Sequence, residues 1–137
     1  MLASREDSAQ EKAKKFIKEY SETVGGLPGV TKVEFTGSIA NGSFRPGESD
    51  IDVFVHGDRL AKETRKEAIF LVRKLSSKHQ LGLERAPCQH ETPFFIDGFI
   101  RRRLYVMLKG RSFLWFRKIF KMLAPSYGLV WKLRPLK

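Results

Sequence analysis

The reading of this chain turns on residues 36–55: Thr36-Gly37-Ser38-Ile39-Ala40-Asn41-Gly42-Ser43-Phe44-Arg45-Pro46-Gly47-Glu48-Ser49-Asp50-Ile51-Asp52-Val53-Phe54-Val55. A strand-like run over residues 33–36 leads into the small pair Gly37-Ser38, and a polar, turn-rich segment separates that pair from Asp50. Asp50 and Asp52 flank Ile51 and open the apolar run 53–55. Side chains two apart on a strand share a face, so these two carboxylates lie side by side, about 6.6 Å apart along the chain. Two hard oxygen donors on one rigid element suit Mg²⁺, which completes its shell with water and substrate phosphates. The glycine lets backbone N–H groups approach a polyphosphate closely, and such concave N–H arrangements bind anions. The pattern predicts a phosphate-handling, metal-assisted site.

Outward from that stretch, helical periodicity in Ala13, Phe16, Ile17, Tyr20 and Val24 predicts a first helix. Ser8 and Glu11 read as its capping box, and Gly25-Gly26-Leu27-Pro28-Gly29 as its stop. A first strand is expected over 30–36, a short helix or turn over 38–41, and a second strand over 51–55. Asp58 is placed to cap a second long helix, which buries Leu60, Ala68, Leu71, Val72 and Leu75 and ends near Lys78. Residues 81–86, 94–96 and 99–108 are expected as strands, and 111–123 as a last helix broken by Pro125. Residues 1–110 would form the core. Residues 111–137 would form a basic, aromatic helix and tail, its apolar half docked on the same domain.

The stretch 36–55 resembles the signature of the nucleotidyltransferase superfamily typified by DNA polymerase β, poly(A) polymerases and CCA-adding enzymes: a strand, Gly-Ser, a gap, then Asp-x-Asp in an apolar strand. The resemblance implies an α/β (α+β) fold, a mixed sheet with helices packed on it. It also implies transfer of NMP from a nucleoside triphosphate such as ATP to an acceptor hydroxyl, with loss of pyrophosphate. Asp50 and Asp52 would hold Mg²⁺, with Mn²⁺ as a substitute, in a two-metal site. Gly37 and Ser38 would take the β- and γ-phosphates, with Ser43 and Arg45 adding phosphate contacts. The superfamily completes its metal site with a third carboxylate. Asp97 is the first candidate and Glu84 the second, and absence of the third acid is also open, because Asp97-Gly98 equally suits the tip of a type I′ hairpin.

At 137 residues the chain fits one domain. Its shortness places it nearest the minimal bacterial and archaeal nucleotidyltransferases, which work with HEPN-type helical toxins in toxin–antitoxin pairs or modify them. A single cysteine, Cys88, forms no internal disulfide and fits a reducing, cytoplasmic setting. No apolar run reaches the length of a membrane span. The charge is lopsided. Residues 1–97 hold fifteen Lys/Arg and fifteen Asp/Glu, whereas residues 98–137 hold eleven Lys/Arg and no acid, so the net +11 lies entirely in the last forty residues. Eight of the sixteen aromatic residues lie there too. Residues 101–137 are therefore expected to attract RNA, tRNA in particular, by charge and stacking. A catalytically silent module acting through that segment is the competing expectation.

Overall fold

The computed structural model describes residues 2–83 and 92–108, with positions 115, 118, 119 and 122 beyond them. Among these residues the order is α1 (Leu2–Gly25), β1 (Val30–Thr36), α2 (Ser38–Asn41), β2 (Asp52–Gly57), α3 (Lys62–Lys78), β3 (Phe94–Asp97) and α4 (Phe99–Leu108). The three strands form a mixed sheet in the order β1-β2-β3. β1 runs antiparallel to β2, with Thr36 opposite Asp52 and Glu34 opposite Phe54. β2 and β3 are parallel, with Phe54 beside Phe94 and Gly57 beside Asp97. The crossover between those parallel strands contains α3. This is an α+β fold, as expected.

The central strand explains the apolar run that follows the aspartates. β2 is covered on both faces, which calls for consecutive apolar residues instead of alternation. Val53 and Val55 face a core built from Phe16, Tyr20 and Val24 of α1 and Ala68, Leu71, Val72 and Leu75 of α3. Phe54 faces the other way, into a smaller cluster with Phe94, Ile96, Leu104 and Tyr105. The sheet therefore separates an α1/α3 side from an α4 side. Tyr20 ties the first layer together, its hydroxyl donating to the Ala68 carbonyl at 2.9 Å. Replacing Phe16, fully buried at the α1–sheet contact, with Ala should cost about 3–5 kcal/mol, read from urea unfolding.

Several local expectations change. Helix α1 begins at Leu2 and so passes through Ser8. Residues 2–7 contain neither Gly nor Pro, so nothing stops the helix from running further toward the N-terminus than the capping signature suggests. Ala61, not Asp58, is the N-cap of α3. Residues 81–83 form no strand, although Leu81 and Leu83 are buried in the core; residues 84–86 lie outside the described residues. The segment 99–108 is a helix, not a strand. Gly98 does adopt the left-handed conformation that a hairpin turn needs (φ 93°), but it starts α4, with Arg102 N–H donating to its carbonyl at 3.0 Å. Leu104 and Tyr105 are buried while Phe99, Arg103, Val106 and Met107 are exposed, a spacing that fits a helix laid on the sheet. Trp115, Lys118, Ile119 and Met122 are helical, as expected for 111–123, with Trp115 and Met122 exposed. The rest of the expected tail lies outside the described residues.

A polar network fastens α4 to the sheet. Glu34 Oε1 accepts from the Tyr105 hydroxyl at 2.5 Å and from His56 Nε2 at 3.0 Å, and Lys32 Nζ lies 3.7 Å from the same oxygen. Burial lowers the His56 pKa from its ordinary value against the opposing pull of Glu34, so the neutral ring donates through Nε2. Burial raises the Glu34 carboxyl, but the hydrogen bonds from Tyr105 and His56 outweigh it and the net shift is downward. The signs agree. A depressed histidine binds its proton more readily when unfolded, so stability falls as pH drops below about 6.5. A depressed carboxyl adds a further loss at lower pH. The urea midpoint should fall between pH 7.5 and pH 5.5, and His56→Gln should flatten that dependence while lowering the midpoint at pH 7.5.

Candidate active site

The Gly-Ser turn and the Asp-x-Asp strand meet because β1 and β2 are antiparallel neighbours. Thr36 ends β1 directly opposite Asp52, the first residue of β2, so the next residue, Gly37, folds over the Asp52 side chain. Gly37 has φ 72° and ψ −153°, a backbone region that other residues avoid. A Cβ placed there would collide with Asp52 Oδ2. Only glycine fits, for backbone conformation and for space alike. The Gly37 carbonyl accepts from Ala40 and Asn41 N–H at 3.1 Å each, which starts the short helix α2. The first N–H groups of a helix have no acceptor within it and can serve an anion.

The loop between the two halves is pinned at both ends. Phe44 is buried, and its carbonyl accepts from Gln10 Nε2 of α1 at 2.9 Å. Arg45 N–H donates to Ser49 Oγ at 2.9 Å, and Glu48 and Ser49 N–H donate back to the Arg45 carbonyl. This turn delivers Asp50 to β2. Asp50, Asp52, Phe54 and His56 alternate with the core-facing Ile51, Val53 and Val55, so both carboxylates belong to the α4 side of the sheet. Both are half-buried. Gly37 lies directly against Asp52, with Ser38 next to it in the chain and Asp50 two residues before Asp52. Ser43, expected at phosphate, instead gives its hydroxyl to Asn41 Oδ1 at 2.5 Å, with its N–H on the same oxygen at 3.0 Å. The Arg45 side chain is exposed beside this loop.

Asp97, expected as the third carboxylate, sits elsewhere on the sheet. It pairs with Gly57, five residues beyond Asp52, or about 16 Å along the strand. Its neighbour across the sheet, Gly57, has the parity of Val53 and Val55, so Asp97 also faces the α1/α3 side. There its Oδ2 accepts from Leu60 N–H at 3.1 Å and from Arg65 Nη2 at 2.9 Å, an ion pair anchoring the start of α3. Glu84 lies outside the described residues. Among the described residues no group of three His, Cys, Asp or Glu could hold a metal ion. The two-carboxylate donor set still fits Mg²⁺, an ion that keeps most of its shell for water and phosphate oxygens. Sequence reading missed Glu34 and Arg65. Lys32, Glu34 and Thr36 alternate with Val33 and Phe35, a period-two signal that places Glu34 on the Asp52 side once the register is known.

The Gly37 turn thus closes directly over the Asp52 carboxylate. Residues 11–106 match the model of the nucleotidyltransferase domain family, and the chain belongs to that family. Comparison with curated proteins and with solved structures gives no match in either case. Gly37→Ala should lower stability by about 1–2 kcal/mol through the left-handed backbone alone and abolish nucleoside triphosphate binding through the collision with Asp52. Thermal unfolding and calorimetric titration with ATP measure the two losses separately.

Proposed function

We propose that this chain transfers NMP from a nucleoside triphosphate to an acceptor hydroxyl and releases pyrophosphate. The observation that carries this reading is the meeting of Gly37 with the Asp52 carboxylate in a member of the nucleotidyltransferase family. Asp50 and Asp52 would hold Mg²⁺ on the α4 side of β2. When bound, the ion would offset charge on the triphosphate and ease deprotonation of the attacking hydroxyl. The N–H groups of Ser38 and Ile39 would take the β- and γ-phosphate oxygens. In the reaction the acceptor oxygen bonds to the α-phosphorus, the bond from that phosphorus to the α–β bridging oxygen breaks, and pyrophosphate leaves with the electron pair. The hydroxyl proton passes to water or to a site carboxylate. Positioning and charge supply most of the rate in such transfers, so no histidine base is required. An RNA or protein hydroxyl would be the acceptor. The acid-free segment 98–137 favours a polyanion.

The placement of Asp97 beside Gly57 and Arg65 favours a second reading, in which the nucleotide binds but transfer is silent. Pyrophosphate release from ATP, GTP, CTP and UTP with Mg²⁺ or Mn²⁺ separates the two. The transfer reading predicts release that falls about a hundredfold or more in Asp50→Asn and Asp52→Asn, with the fold intact by circular dichroism. Binding without release by the wild type would support the silent module. Asp97→Asn should retain the wild-type rate while losing about 1–3 kcal/mol of stability from the broken Arg65 contact. Loss of activity with unchanged stability would return Asp97 to the chemistry.

A further inference from the structure

Six of the eight large hydrophobic side chains exposed among the described residues lie between positions 99 and 122: Phe99, Ile100, Val106, Met107, Trp115 and Met122. Four of them are on α4, where Phe99 is 65%, Val106 61% and Met107 66% exposed. At 100° per residue, Phe99, Ile100, Arg103, Val106 and Met107 share one arc of about 120°. Tyr105 lies on the opposite side and Leu104 between it and the edge of the arc, both buried with Phe54, Phe94 and Ile96. The outward arc thus carries four apolar side chains and one cation, Arg103, whose guanidinium lies 5.6 Å from the centre of the Phe99 ring. In the sequence, residues 98–137 hold eleven Lys/Arg and no acid. A soluble monomer seldom leaves contiguous large apolar side chains uncovered.

We infer that the outward face of α4 binds the surface of an anionic lipid bilayer. The chemistry separates this occupant from the others. Phe99, the one ring on the α4 arc, already carries the Arg103 guanidinium over its face, and Ile100, Val106 and Met107 offer no ring, so a nucleic acid would gain little from this face. A second copy would bring a segment of the same +11 charge against this one, and like charge repels. A bilayer carrying acidic headgroups meets both halves of the surface. The apolar arc enters the headgroup–acyl boundary while Arg103 extends along it to the phosphates. The many lysines and arginines beyond supply the electrostatic second signal that durable peripheral binding requires. No described helix is long and apolar enough to cross a membrane, which fits attachment from one side. The inference does not depend on the transfer reaction.

Vesicle flotation of the full-length protein tests it. The wild type should float with phosphatidylcholine–phosphatidylglycerol vesicles and not with phosphatidylcholine alone. Val106→Ser/Met107→Ser should weaken that binding about tenfold or more, with circular dichroism unchanged because both side chains are exposed. Phe99→Ser/Ile100→Ser should do the same, and serves if the first pair perturbs folding. Failure of the wild type to bind anionic vesicles would overturn the inference. Equal binding by the substituted proteins would also overturn it, leaving a charge-only surface of the kind that binds RNA. A dimer in sedimentation velocity that these substitutions dissociate would assign the face to a second copy instead.

Discussion

The site depends on one close contact, the Asp52 carboxylate lying against the backbone of Gly37. Antiparallel pairing of β1 with β2 puts the end of one strand beside the start of the other, so the turn must pass over the aspartate. That leaves no room for a Cβ and forces a positive φ at Gly37. The same contact brings the N–H groups that follow the glycine to the carboxylates that would hold the ion. In the proposed reading, strand register alone would fix the phosphate and metal subsites relative to each other.

The sheet divides the molecule's tasks between its faces. On the α1/α3 side lies the main core, made of Phe16, Tyr20, Leu71 and their neighbours, and it carries most of the buried apolar surface. On the α4 side lie Asp50 and Asp52 at one end of β2, with the network of Glu34, His56 and Tyr105 farther along. α4 is fastened there by a smaller apolar cluster and one shared carboxylate oxygen. A helix held this way sits beside the site while presenting its outer arc to whatever covers it. Asp97 belongs to the structural side, where its pairing with Arg65 steadies the start of α3.

Much of this was legible in the residues. β1 and α2 appear where strand propensity and the Gly-Ser punctuation placed them, and the buried positions of α3 follow from its period. The Gly-Ser turn and the Asp-x-Asp strand, linked by the signature spacing, do meet at Gly37 and Asp52. Asp97 was not decidable that way. An acid at the end of an apolar strand looks the same whether it meets a metal or an arginine, and only register and parity across the sheet tell them apart. The helix α4 was misread because Ile100, Arg101, Arg102 and Arg103 give no clean period, and Asp97-Gly98 is a strong hairpin signal. A positive φ at Gly98 served both outcomes, and tertiary packing of Leu104 and Tyr105 decided for the helix.

The central claim is that Gly37, Asp50 and Asp52 make one ion-and-phosphate site and Asp97 lies apart from it. Paramagnetic broadening of backbone amide signals by Mn²⁺ in the presence of a nucleoside triphosphate tests this most directly. Signals of residues 37–39 and 50–53 should broaden first and be protected in Asp52→Asn, while those of residues 96–98 persist. Broadening centred on Asp97, or spread along the acidic surface without preference for Gly37 and Asp52, would contradict the account.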